Sequence, residues 1–381
     1  MKQKESMHVV HMITKLEMGG AQKVCLTIKK GLDNQKIWSA LISGDTGELV
    51  NCARDLPNSL FIKELKREVT VLGVFNECIC FFKLIRYLRT LKKQYPNLII
   101  HTHSTKAGLM GRWAAFFAGI KKRVHTIHGY GFQPEQNLCV RFCIYCVELI
   151  TSAITTHYIC VSTEDAKRGS KIFPCFGKKH SIIRAAVDWK QFYSPARKHQ
   201  AVPLYDKPFI FGTIGGLSYR KNQIEILKAF SIVHSKYPHA RLELIGDGDQ
   251  RAVLVNWINE HQLQNVVVLH GWQQNVLPIM LNWHVFLLSS LWEGLPCVIV
   301  EARLLKLPVL TYAMNGVRDV IFQDYNGFIY KQRDYQSMAN GMISLIENPL
   351  LYTKLSQYPD QLQDFNDTYM VHQHIELYKS F

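Results

Sequence analysis

The sequence predicts an α/β protein built from two doubly wound parallel-sheet domains, and three observations lead to this fold class. Short apolar runs alternate with helix-length amphipathic segments along the chain. These runs are continuously apolar, which indicates strands buried on both faces, as in a parallel sheet covered by helices. The alternation starts twice, and a chain of 381 residues is long enough for two domains.

Strand-like segments recur through both halves of the chain. In the first half they are HVVHMI, NLIIHTH, VHTIH and YICVS. In the second half they are FIFGTIG, RLELIG, VVVLHG, VFLLSS and LPVLTYA. Helix-length segments such as AQKVCLTIKKGL and NQIEILKAFSIVHSKY separate them. This order predicts two sheets whose ligands bind at the carboxyl ends of the strands.

A polar stretch with three prolines, YSPARKHQAVPLYDKP at 193–208, separates the two halves. We therefore expect a first domain at 1–195 and a second domain at 205–360, divided near residue 200.

The composition is that of a globular protein with a basic surplus. Hydrophobic residues make up 48% of the chain and charged residues 20%, which excludes a disordered protein. Lys and Arg number 45 against 30 Asp and Glu, a net charge of +15. This surplus favours a polyanionic partner, whether nucleic acid, anionic lipid or a phosphate-bearing substrate.

The cysteines and the amino terminus indicate the compartment. Ten cysteines are scattered without the pattern of a small disulfide-rich domain. The opening MKQKESMHVVHMI has too short an apolar run for a secretory signal. We therefore expect free thiols in a reducing cytosol.

A pair of glutamates surrounds an apolar turn in SSLWEGLPCVIVEARLLKLPVLT, at 289–311. The preceding strand is expected to end near Ser290, and Gly294 and Pro296 then form a turn into a helix at 297–305. The amino terminus of such a helix attracts phosphate through its unpaired N–H groups and its dipole.

The second glutamate of the pair, Glu301, falls inside that predicted helix, where it can accept hydroxyl protons from a sugar. A solvated surface glutamate is the alternative. Apolar neighbours on both sides of Glu301 disfavour that alternative.

The phrase Glu293-Gly294-Leu295-Pro296, followed by Glu301-Ala302, resembles the E-x7-E motif of the retaining glycosyltransferases of the GT-B fold, family four. The resemblance implies two Rossmann-like doubly wound parallel-sheet domains that face each other across a cleft. It also implies that a carboxyl-terminal helix at 361–381 crosses back to the first domain.

This resemblance assigns roles to the motif residues. It implies that Glu301 binds the ribose hydroxyls of a sugar nucleotide and that Glu293 contacts the donor sugar near its 3-hydroxyl. It further implies that backbone amides around Gly294 and Leu295 meet the diphosphate and the sugar.

Phrases in the first half resemble the same family. Gly19 and Gly20 follow the first strand, where the family has a glycine loop that approaches phosphate; a simple tight turn looks identical. HTHSTKAGLMGRWAA and VHTIHGYGF resemble the polysaccharide-building branch, and AVDWKQF resembles the phrase that ends the first domain.

The resemblance places His128 beside the donor sugar as the family's active-site histidine. The candidate acceptor-side residues are His103, Ser104 and Lys106.

In the second half, IGGLSYRKN resembles a phrase that supplies an arginine and a lysine to the diphosphate. Lys221 matches the lysine. Gly216 stands where the family has arginine, and Arg220 is the candidate replacement.

Two motifs point to metal chemistry elsewhere but have simpler interpretations here. Asp247-Gly248-Asp249 resembles the D-x-D metal signature of the other large glycosyltransferase fold, although Asp and Gly are also ordinary turn residues. His101, His103, His125 and His128 resemble a metal cluster, although no acidic ligand accompanies them. We interpret these histidines as polar strand-end groups lining the cleft.

The segment 138–161 is apolar but carries Arg141, Glu148 and His157, which disfavours a membrane span. It is predicted to be a core helix followed by a strand. Within it, Cys139, Cys143 and Cys146 have the C-x3-C-x2-C spacing of radical iron–sulfur enzymes. Because this spacing places all three on one helical face, we interpret them as small buried thiols.

The segment FKLIRYLRTLKKQY at 82–95 combines an apolar stripe with five cations, namely Lys83, Arg86, Arg89, Lys92 and Lys93. An ordinary surface helix packed on the sheet has this pattern. A helix resting on an anionic membrane surface has it as well.

The sequence therefore predicts a glycosyltransferase of the hexosyltransferase type that uses no metal and no cofactor, with Glu293, His128 and Lys221 as catalytic residues. The expected partners are a nucleotide-sugar donor, a polyprenyl-diphosphate-linked glycan acceptor and an anionic membrane surface, with no nucleic acid. The expected location is cytoplasmic, peripheral at the inner face of the cell membrane.

Two alternatives to this function stay open. One is a GT-B epimerase of sugar nucleotides. The other is a non-catalytic basic module that binds membrane or polyanion, although such a module has no need for buried carboxylates.

Overall fold

The computed structural model describes residues 7–65, 71–132, 137–193 and 208–381. The chain divides into two compact units, the first formed by Met1–Ala186 with Gln363–Phe381 and the second by Val187–Leu362. The second unit thus begins at Val187, whereas the sequence suggested that the first domain extends to residue 195. Most of the expected linker, at 194–207, lies outside the described residues.

The first unit is built on a seven-stranded sheet in which every strand pair is parallel, with the order β3-β2-β1-β4-β5-β6-β7. Its strands are β1 (His8–Met12), β2 (Trp38–Ser43), β3 (Ser59–Phe61), β4 (Leu98–His103), β5 (Lys122–Ile127), β6 (His157–Cys160) and β7 (His180–Ile182). The direction of the strand order reverses between β1 and β4, where doubly wound sheets bind their ligands.

Helices cover both faces of this sheet, and its strands are therefore buried on both faces. They are α1 (Gly20–Asn34), α2 (Val50–Arg54), α3 (Val71–Gln94), α4 (Thr105–Phe117), α5 (Leu138–Ile154) and α6 (Thr163–Ile172), and the carboxyl-terminal helix α14 (Asp367–Lys379). Helix α14 packs on α1 within the first unit, and the Tyr378 hydroxyl lies 2.5 Å from His101 Nδ1 in β4. The end of the chain therefore belongs to the first unit.

The second unit contains a six-stranded parallel sheet with the order β10-β9-β8-β11-β12-β13. Its strands are β8 (Ile210–Ile214), β9 (Arg241–Ile245), β10 (Val267–Leu269), β11 (Val285–Leu288), β12 (Val309–Tyr312) and β13 (Gly327–Tyr330). The switch point of this sheet lies between β8 and β11.

The helices of the second unit are α7 (Trp189–Phe192), α8 (Gln223–Lys236), α9 (Arg251–Glu260), α10 (Leu277–Met280), α11 (Cys297–Leu304), α12 (Tyr335–Glu347) and α13 (Pro349–Gln357). Arg303 of α11 is buried and pairs with Asp360 at 2.8 Å, which ties α11 to the segment after α13. This pair holds in place the helix that carries the second glutamate of the motif.

The two doubly wound sheets expected from the sequence are thus present. The predicted strands are all found, and the described residues add β2, β3, β7 and β13. Strands β3 and β7 have three residues each, too few to show a periodic pattern.

One expectation about the helices is wrong. Helix α5 has the predicted position, but it is not a core helix, because Leu138, Phe142 and Ile150 are exposed. Cys139 and Cys143 are likewise exposed, so they are not small buried thiols. Along the described residues, the helices are too short or too polar to span a bilayer.

Candidate functional site

Two loops are joined at the switch point of the second unit, one after β8 and the other after β11. The Ser289 hydroxyl donates to the Lys221 carbonyl at 2.8 Å, and the Leu291 amide donates to the Arg220 carbonyl at the same distance. These bonds fix the backbone of Arg220 and Lys221 against the loop that carries Glu293. The arrangement brings together two cations and a carboxylate that lie about 70 residues apart in the sequence.

Lys221 Nζ lies 2.6 Å from Glu293 Oε1, and Arg220 approaches the other carboxylate oxygen at 3.6 Å. Burial alone would raise the pKa of Glu293, but Lys221 and then Arg220 outweigh it, so the pKa lies below its ordinary value. Glu293 is therefore ionised at neutral pH. Its carboxylate, a hydrogen-bond acceptor, lies next to the cations of Lys221 and Arg220.

Helix α11 begins at Cys297, directly after Pro296, as the turn chemistry predicts. The N-cap residue Pro296 gives this amino terminus no side-chain hydrogen bond. Glu301 is buried one turn into the helix, as its apolar neighbours indicated. Gly294 and Leu295 are buried in the turn before the helix, so that turn is held rigidly.

Gly316, which the sequence reasoning missed, supports this turn from behind. Its φ is +75°, and a Cβ there would lie 2.2 Å from the Gly294 carbonyl oxygen. A side chain at this position would therefore displace the turn that carries the motif. The Asn315-Gly316 dipeptide just after β12 was the available sequence signal, because Asn-Gly is a strong turn marker.

The glycines after β8 have different roles. A Cβ at Gly215 would lie 3.1 Å from the Lys221 side chain, so this glycine lets the lysine stem lie across the backbone. At Gly216 a Cβ would meet nothing nearer than Trp272 at 3.6 Å. The structure thus has room for a side chain where the family arginine is missing.

The Asp-Gly-Asp segment forms a turn leading into α9. Asp247 Oδ1 accepts from the Gly248 amide at 2.8 Å, and its other oxygen lies 3.4 Å from Arg251. A Cβ at Gly248 would lie 2.4 Å from the Leu217 carbonyl oxygen, so the turn packs against the loop after β8. Asp247 therefore has a structural role in this turn, and Asp249 is exposed.

In the first unit, α1 begins at Gly20, and Gly19 is its extended N-cap residue. Among the described residues, no side chain caps this terminus at Gly19. A Cβ at Gly19 would meet the flexible Gln22 side chain at 2.6 Å and no backbone atom as close. The loop thus has the uncapped helix terminus that suits an anion.

The switch point of the first unit holds Ser104 and Thr14. Their hydroxyls lie 2.9 Å apart, and Thr14 Oγ1 also accepts from the Ala107 amide at 3.1 Å. Ser104 has a φ of +66°, which is uncommon for a residue other than glycine and occurs at functional turns. Lys106, two residues later in the first turn of α4, pairs with Glu77 at 2.6 Å.

Three histidines at adjacent strands form a hydrogen-bonded chain: His11 lies in β1, His103 lies in β4, and His128 directly follows β5. His11 Nδ1 lies 3.3 Å from His103 Nε2, and His103 Nδ1 lies 3.1 Å from His128 Nε2. His103 is fully buried, so it can influence a bound substrate only through its half-buried neighbour His128. Burial lowers the pKa of His11 and of His128 to about 3, and both are neutral at physiological pH.

The interpretation of the four histidines as strand-end groups lining the cleft does not hold for all of them. His101 and His103 are fully buried rather than lining an open surface. The side chain of His125 bonds Thr102 at 2.9 Å, on the opposite sheet face from His101.

Among the described residues, the side chains close enough together to share a metal ion are instead His11, Cys25 and His103. Burial raises the pKa of Cys25, and a protonated thiol is a poor metal ligand. In the absence of a metal ion, the Cys25 thiol is therefore protonated at neutral pH.

The cations of α3 lie on the outside of the helix, while its leucines, Leu84, Leu88 and Leu91, are buried. Of the cations, Lys83, Arg86, Arg89 and Lys93 are exposed, and Lys92 is half-buried. Lys83 pairs with Glu64 at 2.5 Å, and Arg89 donates to the Phe117 carbonyl at 3.1 Å. The helix is thus both packed on its unit and basic on its exposed side.

Two sequence families match the chain in succession. Residues 18–191 match the family described as Glycosyltransferase Family 4, and residues 195–361 match Glycosyl transferases group 1. Together the two matches cover most of both units.

Individual proteins are similar over most of their length. The UDP-Gal:alpha-D-GlcNAc-diphosphoundecaprenol alpha-1,3-galactosyltransferase of Escherichia coli is 28% identical over 342 residues, 88% of this chain and 86% of that protein. The capsular polysaccharide biosynthesis glycosyltransferase CapM of Staphylococcus aureus is 24% identical over 326 residues, 82% and 81% of the two chains.

The crystal structure of Anabaena HepE with UDP and glucose superposes with a TM-score of 0.81 at 18% identity, covering 98% of this chain and 100% of that one. At this level of identity the likeness supports the GT-B fold.

Proposed function

Because this chain belongs to the family-four glycosyltransferases of the GT-B fold, we propose that it transfers a sugar with retention from a nucleotide-diphosphate sugar to a lipid-linked or growing surface glycan. The chain is a glycosyltransferase of class EC 2.4, so the proposal concerns its stereochemistry, donor and acceptor. The observation that carries it is the convergence of Lys221, Arg220 and Glu293 beside helix α11.

The donor fits the groups gathered in the second unit. Lys221 and Arg220 supply two positive charges for a diphosphate, and the positive end of the α11 dipole adds to them. Glu301 is proposed to accept hydrogen bonds from the ribose hydroxyls, and Glu293 from a hydroxyl of the transferred sugar. When the donor binds, its phosphates replace Glu293 as the partner of Lys221, which frees the carboxylate for the sugar.

The first unit contributes separate groups. Gly19 and Gly20, at the uncapped start of α1, are proposed to meet phosphate oxygens. His128 presents a neutral imidazole for a hydrogen bond to the donor sugar. Ser104 and Lys106 are the proposed contacts for the acceptor; buried His103 acts only by orienting His128.

Transfer with retention is proposed to occur on one face of the sugar. The bond from the anomeric carbon to the phosphate oxygen breaks as a bond to the acceptor oxygen forms, and the acceptor proton passes to the leaving phosphate. Lys221 and Arg220 stabilise the departing negative charge without a metal ion. The E. coli relative is named as an alpha transferase, and transfer of an α-linked sugar to an α-linked product is retention.

Charge and relatedness support the proposed acceptor and location. The E. coli relative is named for a diphosphoundecaprenol-linked acceptor, and CapM for capsular polysaccharide. A polyprenyl-diphosphate glycan lies at an anionic membrane surface, which attracts a chain of net charge +15. We propose that the protein acts in the cytoplasm at that surface.

The test is a donor screen followed by a transfer assay. Purified protein is heated with each sugar nucleotide in turn, and the correct donor should raise the unfolding temperature. That donor is then incubated with a synthetic polyprenyl-diphosphate glycan, and the anomeric configuration of the product is read by NMR. A β-linked product from an α-linked donor contradicts retention, and conversion of the donor without acceptor identifies an epimerase.

A further inference from the structure

Helix α5 is apolar on more than one side: Ile144, Tyr145 and Leu149 pack against the core of the first unit, and a second set of apolar side chains faces outward. Leu138, Phe142 and Ile150 are 76%, 66% and 61% exposed. Phe142 follows Leu138 by four residues and Ile150 follows Phe142 by eight, so all three lie along one i, i+4 row of the helix. An ordinary surface helix has one apolar stripe, which faces the core, so this second, outward-facing row is unusual.

The buried side of α5 explains this orientation. Glu148 pairs with fully buried Arg112 of α4 at 2.8 Å, and Arg112 also bonds the Thr155 hydroxyl at 3.0 Å. Trp113 of α4 donates to the Thr151 hydroxyl at 3.0 Å. Separating the Glu148–Arg112 pair would leave a buried charge without its partner, so α5 cannot turn its outward-facing apolar row inward.

Helix α5 packs on α4, which packs on α3, and these two neighbouring helices expose aromatic side chains as well. Phe116 and Phe117 at the end of α4 are exposed, and Phe117 contacts Phe81 of α3 with ring centroids 6.1 Å apart. Phe81 in turn contacts exposed Phe82 at 6.2 Å. We call this surface the apolar platform; its members are Phe82, Phe116, Phe117, Leu138, Phe142 and Ile150.

Cations lie at the edge of the platform. Phe82 and Ile85 share a shallow groove with Arg86, Arg89 and Lys93. Arg123 lies over the ring of Phe116, 5.5 Å from its centroid. Apolar side chains beside exposed cations match the boundary between lipid tails and anionic headgroups.

We infer that the apolar platform inserts into the headgroup region of an anionic bilayer, with Arg86, Arg89 and Lys93 on the lipid phosphates. Helix α5 is about 25 Å long and lies along the surface rather than across the membrane. A second copy of the chain fits less well, because pairing two platforms brings the same cations together in a protein of net charge +15.

The biological role of the platform rests on the proposed lipid-linked acceptor, whereas the evidence for the platform itself does not. The row on α5 begins at Leu138, shortly after the loop that carries His128 at the carboxyl end of β5. The proposed acceptor residue Ser104 follows β4 at the same sheet edge. A platform held in the bilayer therefore keeps this edge near a membrane-borne substrate.

The experiment is vesicle flotation with the full chain. Vesicles of phosphatidylcholine, with or without phosphatidylglycerol, are tested at low salt and in about 0.5 M NaCl, where the Debye length falls to a few ångströms. The wild type should bind the anionic vesicles and keep a measurable part of that binding at high salt. The double variant Phe142→Glu, Ile150→Glu should bind at least about tenfold more weakly at both salt concentrations.

The matched control places the same charges on exposed apolar residues of the second unit, as Val253→Glu with Leu350→Glu. This control should bind vesicles like the wild type. Circular dichroism and the rise in unfolding temperature with UDP show that both variants are folded. A second readout uses brominated lipid, which should quench the added tryptophan of Phe142→Trp but not that of Leu350→Trp.

Two results would overturn the inference. One is that the wild type loses all vesicle binding at high salt and the platform variant binds as well as the wild type at low salt. Electrostatic attraction would then explain the binding without insertion. The other is a wild-type dimer that the platform variant converts to monomer while vesicle binding is unchanged, which assigns the platform to a second copy. If no sugar nucleotide stabilises a protein that still inserts, the proposed function fails and the platform stands.

Discussion

The ammonium of Lys221 and the carboxylate of Glu293 lie 2.6 Å apart at the switch point of the second unit. Each neutralises the other in the absence of donor. Removing either residue leaves the charge of its half-buried partner unpaired. A single substitution here therefore measures the loss of one charge together with the cost of leaving the other unpaired.

Lys221→Ala should weaken donor binding by about 1–3 kcal/mol, because the diphosphate loses a charge-assisted hydrogen bond. It should also raise the pKa of Glu293, since Lys221 is the main group that lowers it. Calorimetric titration with UDP measures the first effect. The exposed control Glu260→Ala should leave UDP affinity unchanged, and an unaltered Kd in Lys221→Ala would remove the lysine from the site.

The two motif glutamates should separate binding from turnover. Glu301→Ala should weaken nucleotide affinity by about 1–3 kcal/mol, because ribose hydroxyls lose their acceptor. Glu293→Ala should lower kcat more than affinity, because its proposed contact is with the transferred sugar. Steady-state kinetics and UDP titration of both variants make the comparison, and full activity in both would refute the assignment.

Gly216→Arg should be tolerated, because the nearest atom to a Cβ there is 3.6 Å away. If Arg220 replaces the family arginine, Arg220→Ala should lose affinity for UDP, and adding Gly216→Arg should restore most of it. Gly216→Ala in the same background is the control and should restore nothing. A double variant as weak as Arg220→Ala alone would show that the two positions are not equivalent.

His103 should act as a positioning residue for His128. Its Nδ1 lies 3.1 Å from His128 Nε2, so it sets the ring orientation and the tautomer of that imidazole. His103→Phe should lower kcat on the order of 10- to 100-fold with little change in donor KM. His103→Gln, which keeps a hydrogen-bonding group, should recover part of the rate; equal loss in both variants would indicate a purely structural role.

The buried histidines should make the first unit sensitive to mild acid. Burial depresses the pKa values of six of them: His11, His101, His103, His125, His128 and His374. The unfolded chain therefore binds more protons than the native protein below about pH 6.5, and the free energy of unfolding falls as pH drops toward the native pKa values, about 3 for His11 and His128.

Each such group contributes up to about 1.4 kcal/mol per pH unit in this window. Chemical denaturation between pH 7.5 and about 5 should show a steep loss of stability. The substitution His374→Asn should flatten the slope, because it removes one of the rings whose pKa burial lowers. A free energy of unfolding that stays unchanged from pH 7.5 to about 5 would mean that these rings already titrate normally in the native protein.

Transfer activity should survive chelation, because Lys221 and Arg220 supply the charge that a metal ion supplies elsewhere. Assays with and without EDTA measure this directly. Loss with EDTA that manganese restores would promote Asp247 and Asp249 to metal ligands, despite the contacts of Asp247 with Gly248 and Arg251.

Local chemistry was sufficient to predict much of the second unit's site from the sequence. Gly294, Pro296 and the apolar run after them predict a turn and a helix start, and α11 begins at Cys297. The continuously apolar strands also predict parallel sheets, because only strands covered on both faces have that composition. These features depend on neighbours within about ten residues, which the sequence displays directly.

Tertiary structure alone decided which distant groups meet. His11, His103 and His128 form a chain because β1, β4 and β5 are adjacent in the sheet, an order that no local pattern specifies. Helix α5 is apolar over most of its circumference, so its periodicity could not indicate which side faces the core. The buried pairing of Glu148 with Arg112 of another helix settled that orientation, because an uncompensated buried charge costs more than exposing apolar side chains.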